Sequence, residues 1–118
     1  MTRLLHCLVL LSLLADYREL VQLLRRSLPD VRIIMVSIKP SPSRWPKVGF
    51  MREANALIAQ EVARDPRASF VDVFTPMLGA DGLPRPGLYA ADALHMAPAG
   101  YALWQARIAP VLDEVSRR

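Results

Sequence analysis

The strongest constraint on the fold is a pair of short, β-branched segments separated by a helical one. Val31–Ile38 and Ser69–Phe74 have the composition of buried strands, and Phe50–Arg64 between them has apolar residues at helical spacing. Strands joined through a helix run parallel, because a parallel pair needs a long crossover connection. Further helices are predicted at Asp16–Leu28 and Pro98–Ser116. The order therefore predicts an α/β fold with a parallel sheet.

The apolar positions of the outer helices predict which faces pack against the sheet. The stripe of the first helix comprises Leu20, Leu23, Leu24 and Leu28. The core candidates of the last helix are Tyr101, Leu103, Trp104, Ile108, Val111 and Leu112. Pro110 lies inside that last helix and predicts a kink or a break. The three prolines of Lys39–Pro46 predict that this segment has no regular structure.

Residues 1–15 form an apolar N-terminal segment whose role the sequence leaves open. Leu4–Ala15 is shorter than the roughly 20 residues that a membrane span requires. We favour a buried segment that continues into the next helix and, with it, a cytoplasmic protein. A signal peptide, and therefore a secreted or periplasmic protein, is the second alternative, since Arg3 precedes an apolar run. The third is a segment that precedes an interrupted reading frame.

Composition excludes several classes of function. The net charge is +4, but the basic residues are scattered and no basic run alternates with aromatic residues. This pattern indicates a solvated surface and no nucleic-acid partner. Cys7 is the only cysteine, which excludes an internal disulfide, and only two histidines stand beside it, which excludes a Cys/His metal cluster. We expect neither a metal nor a cofactor.

Asp92 and His95 are the candidate catalytic residues. They lie three residues apart, next to a turn and ahead of a helix. The carboxylate of Asp92 can hold one ring nitrogen of His95 as a donor. The other nitrogen can then accept a proton from a serine hydroxyl during acyl transfer. A single tight turn could fix both side chains.

The stretch Asp92-x-x-His95-x-x-x-x-Gly100-Tyr101 resembles the final sequence block of the SGNH (GDSL-type) esterase/lipase family. Three earlier stretches also resemble these hydrolases: Tyr17-Arg18-Glu19-Leu20, Pro29-Asp30-Val31-Arg32-Ile33 and Ser37-Ile38-Lys39-Pro40-Ser41-Pro42-Ser43-Arg44-Trp45. The resemblance continues after them at Asn55 and at Val71-Asp72. The resemblance covers roughly Asp16–Val115. It implies a flavodoxin-like, three-layer α/β/α sandwich, with residues 16–118 as the C-terminal half of an SGNH hydrolase-like domain.

The resemblance also implies the chemistry, hydrolysis of a small carboxylic ester by serine acyl transfer. Only Asp92 and His95 carry over, as orienter and base, because the family's Gly-Asp-Ser, glycine and Gly-x-Asn-Asp blocks have no counterpart here. We therefore expect a truncated hydrolase that lacks its nucleophile. The alternative is a non-catalytic fragment. An exposed sheet edge could then join a second copy of the chain or a complementing fragment.

Two further sets of residues could belong to the site. Trp45 lies among prolines at the expected edge of the active site, where it could line a substrate pocket or equally cover an apolar surface. Ser41 and Ser43 lie in the same loop, on the side where ligands bind in α/β sheets. Neither serine has the glycine-flanked, strand-to-helix setting of a nucleophile.

Overall fold

The computed structural model describes residues 3–117, which form a mixed α/β structure. Its helices and strands are α1 (Arg3–Ser27), β1 (Ile33–Val36), α2 (Val48–Ala63), β2 (Ala68–Val71) and α3 (Pro98–Ser116). Short 3-10 helices span Pro42–Lys47, Thr75–Met77 and Pro86–Leu88.

The two strands pair in parallel, which confirms the predicted sheet. The register runs from Ile33 opposite Ala68 to Val36 opposite Val71. β1 is shorter than the predicted Val31–Ile38. Beyond Val36, the Ser37 N–H still bonds the Val71 carbonyl of β2 (2.9 Å). At Ile38 the amide of Asn55 accepts a hydrogen bond from the backbone N–H (2.8 Å) and donates one to the carbonyl (3.1 Å). Asn55 thus satisfies both backbone groups of Ile38.

Helix α1 packs on α2 through a face that the leucine spacing did not predict. Tyr17 packs with Ile58 and Val62 in a buried cluster, to which Leu13 and Val21 add contacts. Ion pairs that join α1 to α2 include the Arg18 guanidinium on the Glu61 carboxylate, with two hydrogen bonds of 2.9 Å.

The predicted stripe was wrong as a packing face, since all its members are exposed: Leu20, Leu23 and Leu24 of α1, and Leu28 just after it. Spacing shows which residues share a face, and only the position of the neighbouring helix decides which face is covered.

The apolar N-terminal segment continues into α1, as expected, but the prediction that it is buried was wrong. The helix begins at Arg3, and the side chains of Leu4 and Leu11 are 72% and 60% exposed. Within residues 3–15 only part of the surface contacts α2, through residues such as Leu13 and Leu14. None of the helices among residues 3–117 is long and apolar enough to cross a bilayer.

Helix α3 covers a second buried cluster, formed by Met77, Leu88 and Tyr89. Trp104 packs against this cluster, and its indole N–H points at the Met77 sulfur (3.4 Å). Tyr101 and Leu112 are wrong as core candidates, because about half of each side chain or more is exposed.

Two predictions about prolines need correction. Of the kink or break predicted at Pro110, the break is wrong, because α3 continues through this residue to Ser116. A proline removes one helical hydrogen bond, and this helix keeps enough others to continue. The loop after β1 is not irregular throughout, since Pro42–Lys47 forms a 3-10 helix with Pro42 in its first turn. Proline suits this position because its φ is already helical and its missing N–H has no partner there.

Candidate functional site

Asp92 and His95 lie in a tight loop between the last 3-10 helix and α3. The loop is closed by an isolated antiparallel bridge between Tyr89 and Met96, and by a hydrogen bond from the Ala90 N–H to the His95 carbonyl (2.7 Å). At its tip Ala93 has a φ of 58°, in the left-handed region that a non-glycine residue rarely occupies. The loop thus places Asp92 and His95 on the two sides of one turn.

The carboxylate of Asp92 organises this turn. Its Oδ1 accepts hydrogen bonds from the backbone N–H groups of Leu94 (3.0 Å) and His95 (2.9 Å). Its Oδ2 forms a hydrogen bond with Nδ1 of His95. The bond to His95, followed by the two backbone bonds, lowers the pKa of Asp92 to about 2. Asp92 is therefore a carboxylate near neutral pH, and it can hold a proton on Nδ1.

The other ring nitrogen of His95 is free to act. Nε2 makes no hydrogen bond with any residue among 3–117, and the His95 side chain is 75% exposed. With Nδ1 as the donor to Asp92, Nε2 carries a lone pair. The pair can therefore remove a proton from a hydroxyl group brought to Nε2.

The segment that follows β1 supports this loop at several points. The Lys39 ammonium donates a hydrogen bond to the Leu94 carbonyl (2.5 Å) and lies 5.6 Å from the centre of the Tyr89 ring. Burial lowers the pKa of Lys39, and the nearby Asp92 charge opposes that shift. The Ser43 N–H donates to the Ala93 carbonyl (3.1 Å). The segment after β1 thus stabilises the Asp92–His95 loop through these hydrogen bonds.

Tyr89 provides a buried anchor for the same segment. Its hydroxyl donates a hydrogen bond to the Pro40 carbonyl (2.6 Å), and burial raises the pKa of Tyr89 to about 12. Neither Tyr89 nor Lys39 was predicted to belong to the site. For Lys39 there was a signal, because it comes directly after a predicted parallel strand, at the sheet edge where functional side chains collect.

Gly100 has a packing role beneath the loop. A Cβ built at this position in α3 would lie 2.5 Å from the Leu88 carbonyl oxygen and 3.0 Å from the Met96 Cβ. Only glycine lets the first turn of α3 approach the backbone that leads into the site. The glycine that follows the Asp92-x-x-His95 pattern is thereby explained by close contact, and its φ is not positive.

Trp45 contacts the side chain of Arg52. It lies half-buried in the 3-10 helix, 5.7 Å from the guanidinium carbon of Arg52. Of the two loop serines, Ser43 is exposed, whereas Ser41 is buried and its hydroxyl has no hydrogen-bond partner among the described residues. Within residues 3–117 no three His, Cys, Asp or Glu side chains come together as a ligand set for a metal ion.

Two solved structures share this fold. One is a Streptococcus pneumonia protein provisionally described as a platelet activating factor, 21% identical, with a TM-score of 0.72; 84% of this chain and 50% of that chain are covered. The other is a Bacteroides fragilis protein provisionally described as an acylhydrolase, 20% identical, with a TM-score of 0.68; 85% of this chain and 50% of that chain are covered. The chain thus spans about half the length of either protein.

A comparison of the sequence with known protein families identifies the family of this chain. The GDSL-like lipase/acylhydrolase family matches residues 5–103, most of the chain, and the protein belongs to this family. The predicted family is thereby confirmed. The match also includes residues 5–15, to which the resemblance was not expected to extend. No curated protein matches the chain.

Proposed function

We propose that this chain supplies the general base and its orienting carboxylate to a carboxylic ester hydrolase. The observation that carries the proposal is the hydrogen bond between Asp92 and Nδ1 of His95, with Nε2 left unbonded among the described residues. Family membership supports a hydrolase in general. We further propose that residues 16–118 form the C-terminal half of a flavodoxin-like, three-layer α/β/α domain, of which β1, β2 and the helices on them are one part.

In this mechanism His95 moves the proton in both halves of acyl transfer. As a serine oxygen bonds to the ester carbonyl carbon, Nε2 takes the hydroxyl proton, and the Asp92 carboxylate stabilises the resulting imidazolium. When the ester C–O bond breaks, His95 returns that proton to the departing alcohol. Water then attacks the acyl-serine in the same way and releases the carboxylic acid.

The serine is assigned to polypeptide outside these 118 residues. The sequence contains no Gly-Asp-Ser block, and the chain spans about half of the similar structures. The same polypeptide would provide the oxyanion-hole donors, which typically contribute a hundredfold or more to such a reaction. The 75% exposure of the His95 side chain is consistent with a surface that the nucleophile approaches.

The assignment is tested with p-nitrophenyl acetate, an ester activated enough to react with water when an imidazole assists. Replacing His95 by alanine should remove most of the protein's esterolysis, a loss of about tenfold or more. Asp92→Asn should lower the rate as well, because an amide can donate to Nδ1 and so favours the tautomer with a proton on Nε2. The natural control is His6→Ala, since His6 also bonds a carboxylate, that of Glu53 at 2.7 Å.

The readout is the rate of p-nitrophenolate release per mole of protein at neutral pH. If His95→Ala keeps the wild-type rate, or if His6→Ala loses as much, His95 is not a base positioned for this chemistry and the proposal is wrong.

A further inference from the structure

A second concave site lies apart from the Asp92–His95 loop. This pocket, about 370 Å³, is formed between α2 and the chain that follows β2. Ala59, Phe70 and Leu78 contribute to its apolar wall, and Arg52 and Asp72 bring opposite charges to it. None of its lining residues belongs to the loop from Tyr89 to Ala97. Its volume is at the small end of the range for ligand pockets, about 300–1,000 Å³, so a small molecule fits it best.

Arg52 faces this pocket with its hydrogen-bonding groups unused. The guanidinium carbon lies 5.7 Å from the centre of the Trp45 ring and 5.5 Å from that of Phe74. The exposed Arg52 side chain makes no hydrogen bond or ion pair with any other residue that the structure describes. The rings hold the guanidinium by cation–π contact and leave its N–H fork for a carboxylate.

Asp72 is fixed at another part of the same pocket. Its Oδ1 accepts the backbone N–H groups of Phe74 (2.8 Å) and Thr75 (3.1 Å), which fixes the carboxylate just beyond the end of β2. Its Oδ2 has no partner in the described part of the chain, and Asp72 and Arg52 form no ion pair with each other. The pocket therefore presents one unpaired positive group and one unpaired negative group.

We propose that this pocket binds a small zwitterion with an apolar side chain, in the chemical class of a free α-amino acid such as leucine. Its carboxylate would bind Arg52, its ammonium Asp72, and its side chain the wall of Ala59, Phe70 and Leu78. A simple carboxylate or amine would pair with only one of these two exposed groups, whereas a zwitterion pairs with both. Trp45, predicted to contact substrate, acts here by holding Arg52.

The test compares three ligands that share a branched chain and differ in charge. These are L-leucine, 4-methylpentanoate, which lacks the ammonium, and 3-methylbutylamine, which lacks the carboxylate. Binding is measured by calorimetry on the whole chain at millimolar ligand concentrations. Leucine should bind about two- to fivefold more tightly than either analogue, the difference expected from one ion pair with an exposed group. Equal binding of an analogue, or no saturable binding of leucine, overturns the proposal.

Variants assign the two charges separately. Arg52→Met keeps the apolar stem and should weaken leucine and 4-methylpentanoate alike. Asp72→Asn keeps the oxygen that accepts the two backbone N–H groups, and it should abolish the preference for leucine over 4-methylpentanoate. Arg64→Met, just after the end of the same helix and outside the pocket lining, should change neither. Preference for leucine that survives in Asp72→Asn contradicts the assignment of the ammonium.

The comparison of the three ligands in the unmodified protein tests whether the pocket binds a zwitterion even if a variant fails to fold. The result is also separable from the proposed ester hydrolysis, because His95→Ala should leave leucine binding unchanged. A chain that binds leucine but shows no His95-dependent esterolysis would support the pocket and contradict the proposed function. The opposite result would contradict only the pocket.

Discussion

Replacing Gly100 by alanine should destabilise the protein by pressing α3 against the backbone that leads into the Asp92–His95 loop. The added Cβ would lie 2.5 Å from the Leu88 carbonyl oxygen, a contact that cannot remain without movement. The Leu88 carbonyl accepts the Ala97 N–H (2.9 Å), so a displaced carbonyl also weakens the bond that positions the start of α3.

The magnitude follows from two opposing terms. Overpacking of a close contact costs about 1–3 kcal/mol, and backbone against Cβ belongs at the upper end of that range. Alanine is favoured over glycine inside a helix by up to about 1 kcal/mol. The free energy of unfolding should therefore fall by about 1–2 kcal/mol. With a urea dependence of about 2 kcal/mol per molar, the middle of the usual range, the unfolding midpoint should fall by about 0.5–1 M.

The assay is urea unfolding followed by circular dichroism, with p-nitrophenyl acetate hydrolysis on the same preparations. Gly49→Ala is the matched control, because Gly49 is also helical and a Cβ there meets nothing within 4 Å. That variant should be as stable as the unmodified protein or slightly more stable. The steric explanation is refuted if Gly100→Ala unfolds at the same urea concentration as Gly49→Ala or at a higher one.

Three further predictions concern the loop and its supports. The pKa of Asp92 is about 2, against an ordinary 3.8. The Asp92 carboxylate therefore stabilises the folded protein above about pH 4, and this effect is lost as the pH falls towards 2. Urea midpoints measured across that range should depend less on pH in Asp92→Asn than in the unmodified protein. Lys39→Met removes the donor to the Leu94 carbonyl and should lower p-nitrophenyl acetate hydrolysis severalfold while circular dichroism stays unchanged; an unaltered rate would show that this bond does not position the loop. Tyr89→Phe leaves the Pro40 carbonyl without its buried partner and should lower the free energy of unfolding by about 1–3 kcal/mol; a midpoint within error of the unmodified protein in thermal unfolding contradicts this.

The sequence predicted the parts of this protein that depend on short separations along the chain. Asp92 and His95 are three residues apart, so a local turn is enough to bring the carboxylate to the ring nitrogen. The parallel pairing of the strands also followed from the sequence, because strands joined through a helix need a crossover. Local geometry and chain connectivity can be predicted directly from the order of the residues.

Contacts between distant segments were decided by tertiary structure alone. Lys39 bonds the Leu94 carbonyl across 55 residues, and no sequence pattern marks that pairing. The leucines of α1 showed a helical stripe, yet the face that packs on α2 is the one that contains Tyr17. Periodicity defines the faces of a helix, whereas burial depends on which face meets a neighbour. Which face is buried is decided only when the whole chain packs. The free energy of burial depends on both of the surfaces that come into contact, so the sequence of one helix does not determine it.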